Sequence, residues 1–189
     1  KAGETKRILF SLSHIQDIAL LKRSDLVNSS LRSDLNKVFR IEAYDIAHIS
    51  GKHLVGVMTV VEDGETEKNE YRKFKIRSFE GVDDTRALKE VLERRLAHPE
   101  WQYPRLIVVD GGKAQKNTAE AVLRAAGVVI PVVGVIKDKH HRPREIIGLP
   151  EVKPWGALRF NLENSILLAN SEAHRFAIKY HRESRGKIK

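Results

Sequence analysis

Four consecutive apolar residues, Leu106-Ile107-Val108-Val109, run into Asp110-Gly111-Gly112, and no other stretch limits the fold of this chain as strongly. A strand without polar alternation needs cover on both faces, which a parallel sheet flanked by helices provides. The neighbouring sequence supplies those helices. Asp83, Asp84 and Thr85 are N-cap candidates for a helix through about Leu96, with Leu88, Val91, Leu92 and Leu96 on its inner face. Pro99 and Pro104 mark the loop between that helix and the run. Beyond the glycines, Ala114, Thr118, Ala121, Val122 and Ala125 recur at helical spacing until Gly127. Val128 to Ile136 then reads as another buried strand, broken by Pro131.

Upstream the period is two. Ile41, Ala43, Asp45 and Ala47 share one face of a strand beginning at Arg40, and Glu42, Tyr44, Ile46 and His48 share the other. Ser50-Gly51 and Asp63-Gly64 are turn signals on either side of a valine-rich strand from Leu54 to Val61. A third strand spans Tyr71 to Ile76, completing an antiparallel meander. After a basic loop from Lys137 to Arg144 come a short strand at Ile146-Ile147 and a final helix from about Asn164 to Arg182. The stripe of that helix is Ile166, Ala169, Ala173, Phe176, Ala177 and Tyr180. Residues 1–39 read as a helical lead-in and connector, and residues 40–189 as the main domain; 189 residues suit one domain with an appendage. With Lys1 at the start and a single methionine, Met58, the chain is expected to be part of a longer one. The expected class is α/β: a mixed sheet, an antiparallel three-strand meander followed by parallel strands, with helices on both faces. The ribonuclease-H-like fold has this element order.

Two carboxylates stand out against that frame. Asp45 lies within a strand among apolar neighbours, where an ionised carboxylate is costly unless paired or bound to a metal; the alternative is an edge strand with Asp45 facing water. Asp110 ends a buried strand, where open α/β sheets bind ligands, or else caps the next helix. If the strands carrying them are neighbours, the two acids converge. With no cysteine, thiolate zinc sites, iron–sulfur clusters, disulfides and thiol nucleophiles are excluded, and paired carboxylates favour Mg²⁺ or Mn²⁺. His174 on the last helix is placed to reach the same edge as a ligand or proton acceptor, or is an ordinary boundary histidine. Gly112-Lys113 is not a P-loop, because Ile107 replaces the required glycine and Ala114 the Ser or Thr; Lys113 instead offers a point charge to a phosphate. The net charge of +9 invites a polyanion such as nucleic acid. Basic clusters at 72–75, 137–144 and 175–187 either rim one cleft or are scattered solvated faces.

Four segments carry a resemblance: 40–48 (Arg-Ile-Glu-Ala-Tyr-Asp-Ile-Ala-His), 71–74 (Tyr-Arg-Lys-Phe), 109–115 (Val-Asp-Gly-Gly-Lys-Ala-Gln) and 172–177 (Glu-Ala-His-Arg-Phe-Ala). In this order and spacing the chain resembles the C-terminal half of the UvrC family. Tyr44 and Ala47 stand where that family often has Phe and Ser. The resemblance implies a ribonuclease-H-like endonuclease domain that makes the 5′ incision beside a lesion in bacterial nucleotide excision repair, in the cytoplasm. It further implies a catalytic set of Asp45, Asp110 and His174, with Mg²⁺ or Mn²⁺ held by Asp45 and Asp110. Phosphate contacts are expected from Arg72, Lys113, Lys137, Lys139 and Arg175. The implied partners are damaged double-stranded DNA and UvrB, the latter through a segment this chain lacks, with no membrane. The family's nuclease domain for the 3′ cut and its helix-hairpin-helix domain do not appear in the sequence either. An endonuclease V-like repair nuclease is the enzymatic alternative; a basic DNA-binding module without catalysis is the other.

Overall fold

The computed structural model describes residues 38–49, 53–79, 81–138, 142–149 and 159–186. The expected lead-in therefore falls almost wholly outside the described residues. Nearly all of them belong to the larger of two compact units, Phe39–Glu151 with Asn161–Lys189.

Seven strands form one mixed sheet. They are β1 (Arg40–Ile49), β2 (His53–Glu62), β3 (Glu65–Thr66), β4 (Arg72–Lys75), β5 (Leu106–Asp110), β6 (Val132–Lys137) and β7 (Pro143–Ile147). The helices are α1 (Asp84–Leu96), α2 (Lys113–Ala125) and α3 (Arg159–Gly186). The order across the sheet is β3-β2-β1-β5-β6-β7, with β4 also pairing β2. β1, β5 and β6 run parallel to one another, and β2, β4 and β7 pair antiparallel to their neighbours. The meander and the parallel run thus occur as the sequence suggests, with differences at the ends. The strand expected over 71–76 is only four residues long, because a 3-10 turn at Lys68–Glu70 leads straight into it. The strand expected from Val128 begins at Val132, since Pro131 cannot donate to the ladder. The last helix is longer than its apolar stripe, running from Arg159 to Gly186.

Side-chain parity assigns the faces. Tyr44, Met58, Val60, Ile107, Val109 and Val132 point toward α1 and α2 and form one core with Leu88, Val91, Leu92, Ala119, Val122 and Leu123. The opposite face carries Ile41, Ala43, Val57 and Val108, all fully buried. There the Thr59 hydroxyl donates to the Ala169 carbonyl at 3.2 Å, which seats α3. Gly56 is where α1 comes closest: a Cβ built on it would lie 2.2 Å from Val91 Cγ2. Asp83 caps α1, accepting from the Arg86 amide at 3.0 Å.

A charged cluster lies inside the α1 face. Glu42 is 0% exposed, between Arg40 at 1% and Arg95 at 2%. Its carboxylate accepts from Arg95 Nε and Nη2 at 3.0 Å and from the Tyr44 hydroxyl at 2.7 Å. Arg40 adds bonds to Glu62 at 2.9 Å and Glu70 at 2.6 Å, and Arg95 donates to the Gln102 carbonyl at 2.7 Å. Burial, reinforced by the Glu42 charge, pushes the Tyr44 phenol well above its ordinary value, so it remains a donor. The network joins β1 to β2, α1 and the loop beyond α1. Removing one partner strands a buried charge, which costs far more than an exposed pair contributes. Arg95→Met is expected to destabilise the protein by about 3–5 kcal/mol in urea unfolding. Lys89→Met, which removes only the exposed Lys89–Glu93 pair on the same helix, should change it by less than about 1 kcal/mol.

Candidate active site

Parallel pairing of β1 with β5 matches Ala43 with Val108 and Tyr44 with Val109, so the next residues along are Asp45 and Asp110. Both acids therefore lie on neighbouring central strands on the α3 face, Asp110 at the carboxyl end of β5 and Asp45 within β1, just past its last pair with β5. This removes the alternative in which Asp45 faces water from an edge. Asp110 is not a helix cap either: the N-cap of α2 is Gly112, without a side-chain cap bond. Gly111, at φ +145°, makes the turn, and Gln115 fills the space a side chain there would need.

α3 brings the third group. His174 Nδ1 lies 3.2 Å from Asp45 Oδ2. One ligand-type atom from each of Asp45, Asp110 and His174 lies within 4.8 Å of the other two. Lys137, at the end of β6, places Nζ 2.5 Å from Asp110 Oδ2. The acids and Lys137 are 11–16% exposed, whereas His174 is 46% exposed. The group opens into a cleft of about 450 Å³ over the carboxyl ends of β1 and β5. Its lining includes Gln115 of α2, Ile178 and His181 of α3, and His48 and Asp84. His48 Nε2 meets Asp84 Oδ1 at 2.9 Å.

Of the five residues expected to hold phosphates, only Lys137 lines this cleft among the described residues. Arg72 points to the α1 face, with its guanidinium 5.1 Å from the Trp101 ring and bonded to the carbonyls of Asn69 and Tyr71. Arg175 is held by Glu172 at 2.8 and 2.6 Å. Lys113 is exposed at the start of α2, and Lys139 lies outside the described residues. Sequence reading passed over the His48–Asp84 pair, although its two members stand at a strand end and a helix start.

The site's own fields shift two of its groups. Burial pushes the Asp110 carboxyl above its ordinary value; the Lys137 bond opposes this and the Asp45 charge adds to it. The hydrogen bond to Asp45 raises the His174 imidazole above its ordinary 6.5, against desolvation. A value raised in the folded state means that the imidazolium–Asp45 pair stabilises the fold below about pH 6.5, and that this is lost as pH rises through the higher folded value. Once neutral, with Nδ1–H directed at Asp45, the ring has a lone pair on Nε2.

A mixed sheet in this order, with helices on both faces, is a ribonuclease-H-like architecture. The chain belongs to the family described as UvrC RNAse H endonuclease domain, whose model matches residues 31–178. It is 40% identical over 200 residues to the UvrABC system protein C of Caldicellulosiruptor saccharolyticus and 41% identical over 169 residues to that of Lachnospira eligens. These matches cover 99% and 81% of this chain but 33% and 27% of the relatives, so the chain spans about a third of their length. Among solved structures it is similar to Ciona intestinalis endonuclease V in complex with a 24mer DNA containing an inosine followed by a ribo-adenosine. The TM-score is 0.41, with 14% identity over 79% of this chain and 67% of that one.

The His174 shift is directly testable by NMR. Its imidazole should titrate with a midpoint above 6.5, and Asp45→Asn, which removes the leading cause, should lower that midpoint.

Proposed function

We propose that this chain is the part of an excision-repair nuclease that makes the 5′ incision beside a DNA lesion, with Mg²⁺ or Mn²⁺ as its ion. The convergence of Asp45, Asp110 and His174 within 4.8 Å, in a chain of this family, carries the reading. Two carboxylates, without any thiolate, form an oxygen donor set suited to these hard ions. Asp45 and Asp110 would hold the ion, which when bound supplies Lewis-acid stabilisation of charge on the phosphodiester. His174, steadied by Asp45, takes a proton from the attacking water through Nε2, so the rate should rise with pH as the ring becomes neutral. In-line attack then leaves a 3′-hydroxyl and a 5′-phosphate. The low exposure of both acids limits competing water and strengthens the local field.

Damaged duplex DNA is the proposed substrate, supported by the net charge of +9. UvrB is the proposed partner of the longer protein, and the cytoplasm follows from that role. Among the described residues no helix is long and apolar enough to cross a membrane. Lys113 and Arg175 remain proposed phosphate contacts outside the cleft walls, Lys139 remains one among the residues not described, and Arg72 would need to leave the Trp101 ring to become one. Residues 1–39 remain proposed as a connector to the domain of residues 40–189.

Asp45→Ala and Asp110→Ala should each reduce 5′ incision of a lesion-bearing duplex in reconstituted repair by about a thousandfold or more, with circular dichroism unchanged. Normal cutting by either variant would remove that residue from the mechanism. DNA affinity of the chain should fall by about 10³-fold or more between 50 and 200 mM salt if roughly 6–10 phosphates are engaged. A flat salt response would argue against a phosphate-lined surface.

A further inference from the structure

Around His174, α3 is seated through a seam of methyl groups. Ala169, Ala173 and Ala177 recur every four residues and are 0–2% exposed; the bulkier Ile166 lies about two turns before His174. Methyl groups raise no ridge tall enough to key a helix against rotation about its own axis. Helical spacing puts Glu172, Phe176, Tyr180 and Glu183 along one flank of this seam, and His174, Ile178 and His181 along the other. The second flank lines the cleft. The first is gripped from β4.

The register of β4 against β2 pairs Lys73 with Val57, so Lys73, and Tyr71 two residues before it, belong to the α3 face. The Tyr71 hydroxyl donates to Glu172 Oε2 at 2.9 Å, and its ring meets Phe176 edge-on with centroids 5.2 Å apart. Burial, with the Glu172 bond, holds the Tyr71 phenol above its ordinary value, so it stays a donor. Glu172 is itself fixed, because Arg175 binds it at 2.8 and 2.6 Å. Lys73 Nζ lies 5.0 Å from the Phe176 ring centroid, 4.4 Å from that of Tyr180 and 3.6 Å from Glu183. Together these contacts span about three turns of α3.

We infer that Tyr71 and Lys73 are positioning residues for His174: their clasp on one flank of α3 sets the roll of the helix, and thereby the reach of the imidazole on the other flank to Asp45. This rests on the reading of His174 as the group that takes a proton from the attacking water, and adds what keeps that group in place.

The leverage is large for a small motion. His174 is 46% exposed, and its 3.2 Å bond to Asp45 is at the long end of the usual range, so it depends on its helix for its position. A side-chain tip sits roughly 6 Å from the helix axis, so a roll of about 10° moves it by about 1 Å. A misplacement of about 1 Å at a reacting group can cost on the order of a hundredfold in rate.

Single-turnover 5′ incision of a lesion-bearing duplex in reconstituted repair tests this. The variants are Tyr71→Phe, which removes the hydroxyl and keeps the ring, and the pair Tyr71→Phe with Lys73→Met. The pair should cut about tenfold more slowly at saturating protein, with an unchanged concentration for half-maximal rate. In the 189-residue chain at fixed pH, its His174 imidazole NMR signals should move toward the positions they take in Asp45→Asn. Tyr71→Phe alone should show both effects in smaller measure, and it decides if the pair fails to fold. A wild-type rate or unmoved His174 signals would overturn the inference. So would a raised half-maximal concentration without a slower maximal rate, which would make the two residues DNA contacts instead. Incision by His174→Ala at the wild-type rate would overturn the reading of His174 itself, while the NMR signals would still report whether the clasp governs its position.

Discussion

The parallel register of β1 against β5 is the constraint on which the rest depends. Side chains alternate along a strand, so a slip of one residue would carry Asp45 to the α1 face and leave Asp110 alone. That register is held by apolar side chains on both faces of both strands, Ile41, Ala43, Tyr44, Ile107, Val108 and Val109, each 0–2% exposed. The chemistry at the sheet's edge is therefore placed by packing in its middle.

β1 carries two carboxylates three residues apart, on opposite faces, with opposite fates. Glu42 is saturated: two guanidiniums and a phenol occupy it, and its charge is spent on tying strand to helix. Asp45 receives one imidazole and keeps coordinating capacity. A buried carboxylate is structural when its neighbours exhaust it and available for chemistry when they do not. Lys137 is the intermediate case, engaging one oxygen of Asp110.

Much of this was legible in the sequence, for identifiable reasons. The run from Leu106 to Val109 announces a covered strand, the glycines after Asp110 announce the turn, and the alternation around Asp45 assigns its face. The meeting of the two acids needed one further premise, that their strands are neighbours, which the sheet order supplies. The Glu42 cluster escaped because a helical stripe is read from apolar residues, and Arg95 occupies an inward position without being one. Arg72 shows a related effect. A basic residue on a strand reads as a surface charge, but parity turns Arg72 to the α1 face, where Trp101 receives it. Charge composition signals a polyanion partner; only the fold says which cations remain free to meet it.

Gly56 has a consequence that reaches the rim of the cleft. Its missing side chain lets the Val91 side chain settle directly on β2. The same helix begins at Asp84, beside His48. The position of Asp84 at the cleft mouth is thus tied to the missing Cβ two turns down the helix, and a single methyl group inserted there would act as a wedge against Val91, prying that wall outward without touching a reacting atom.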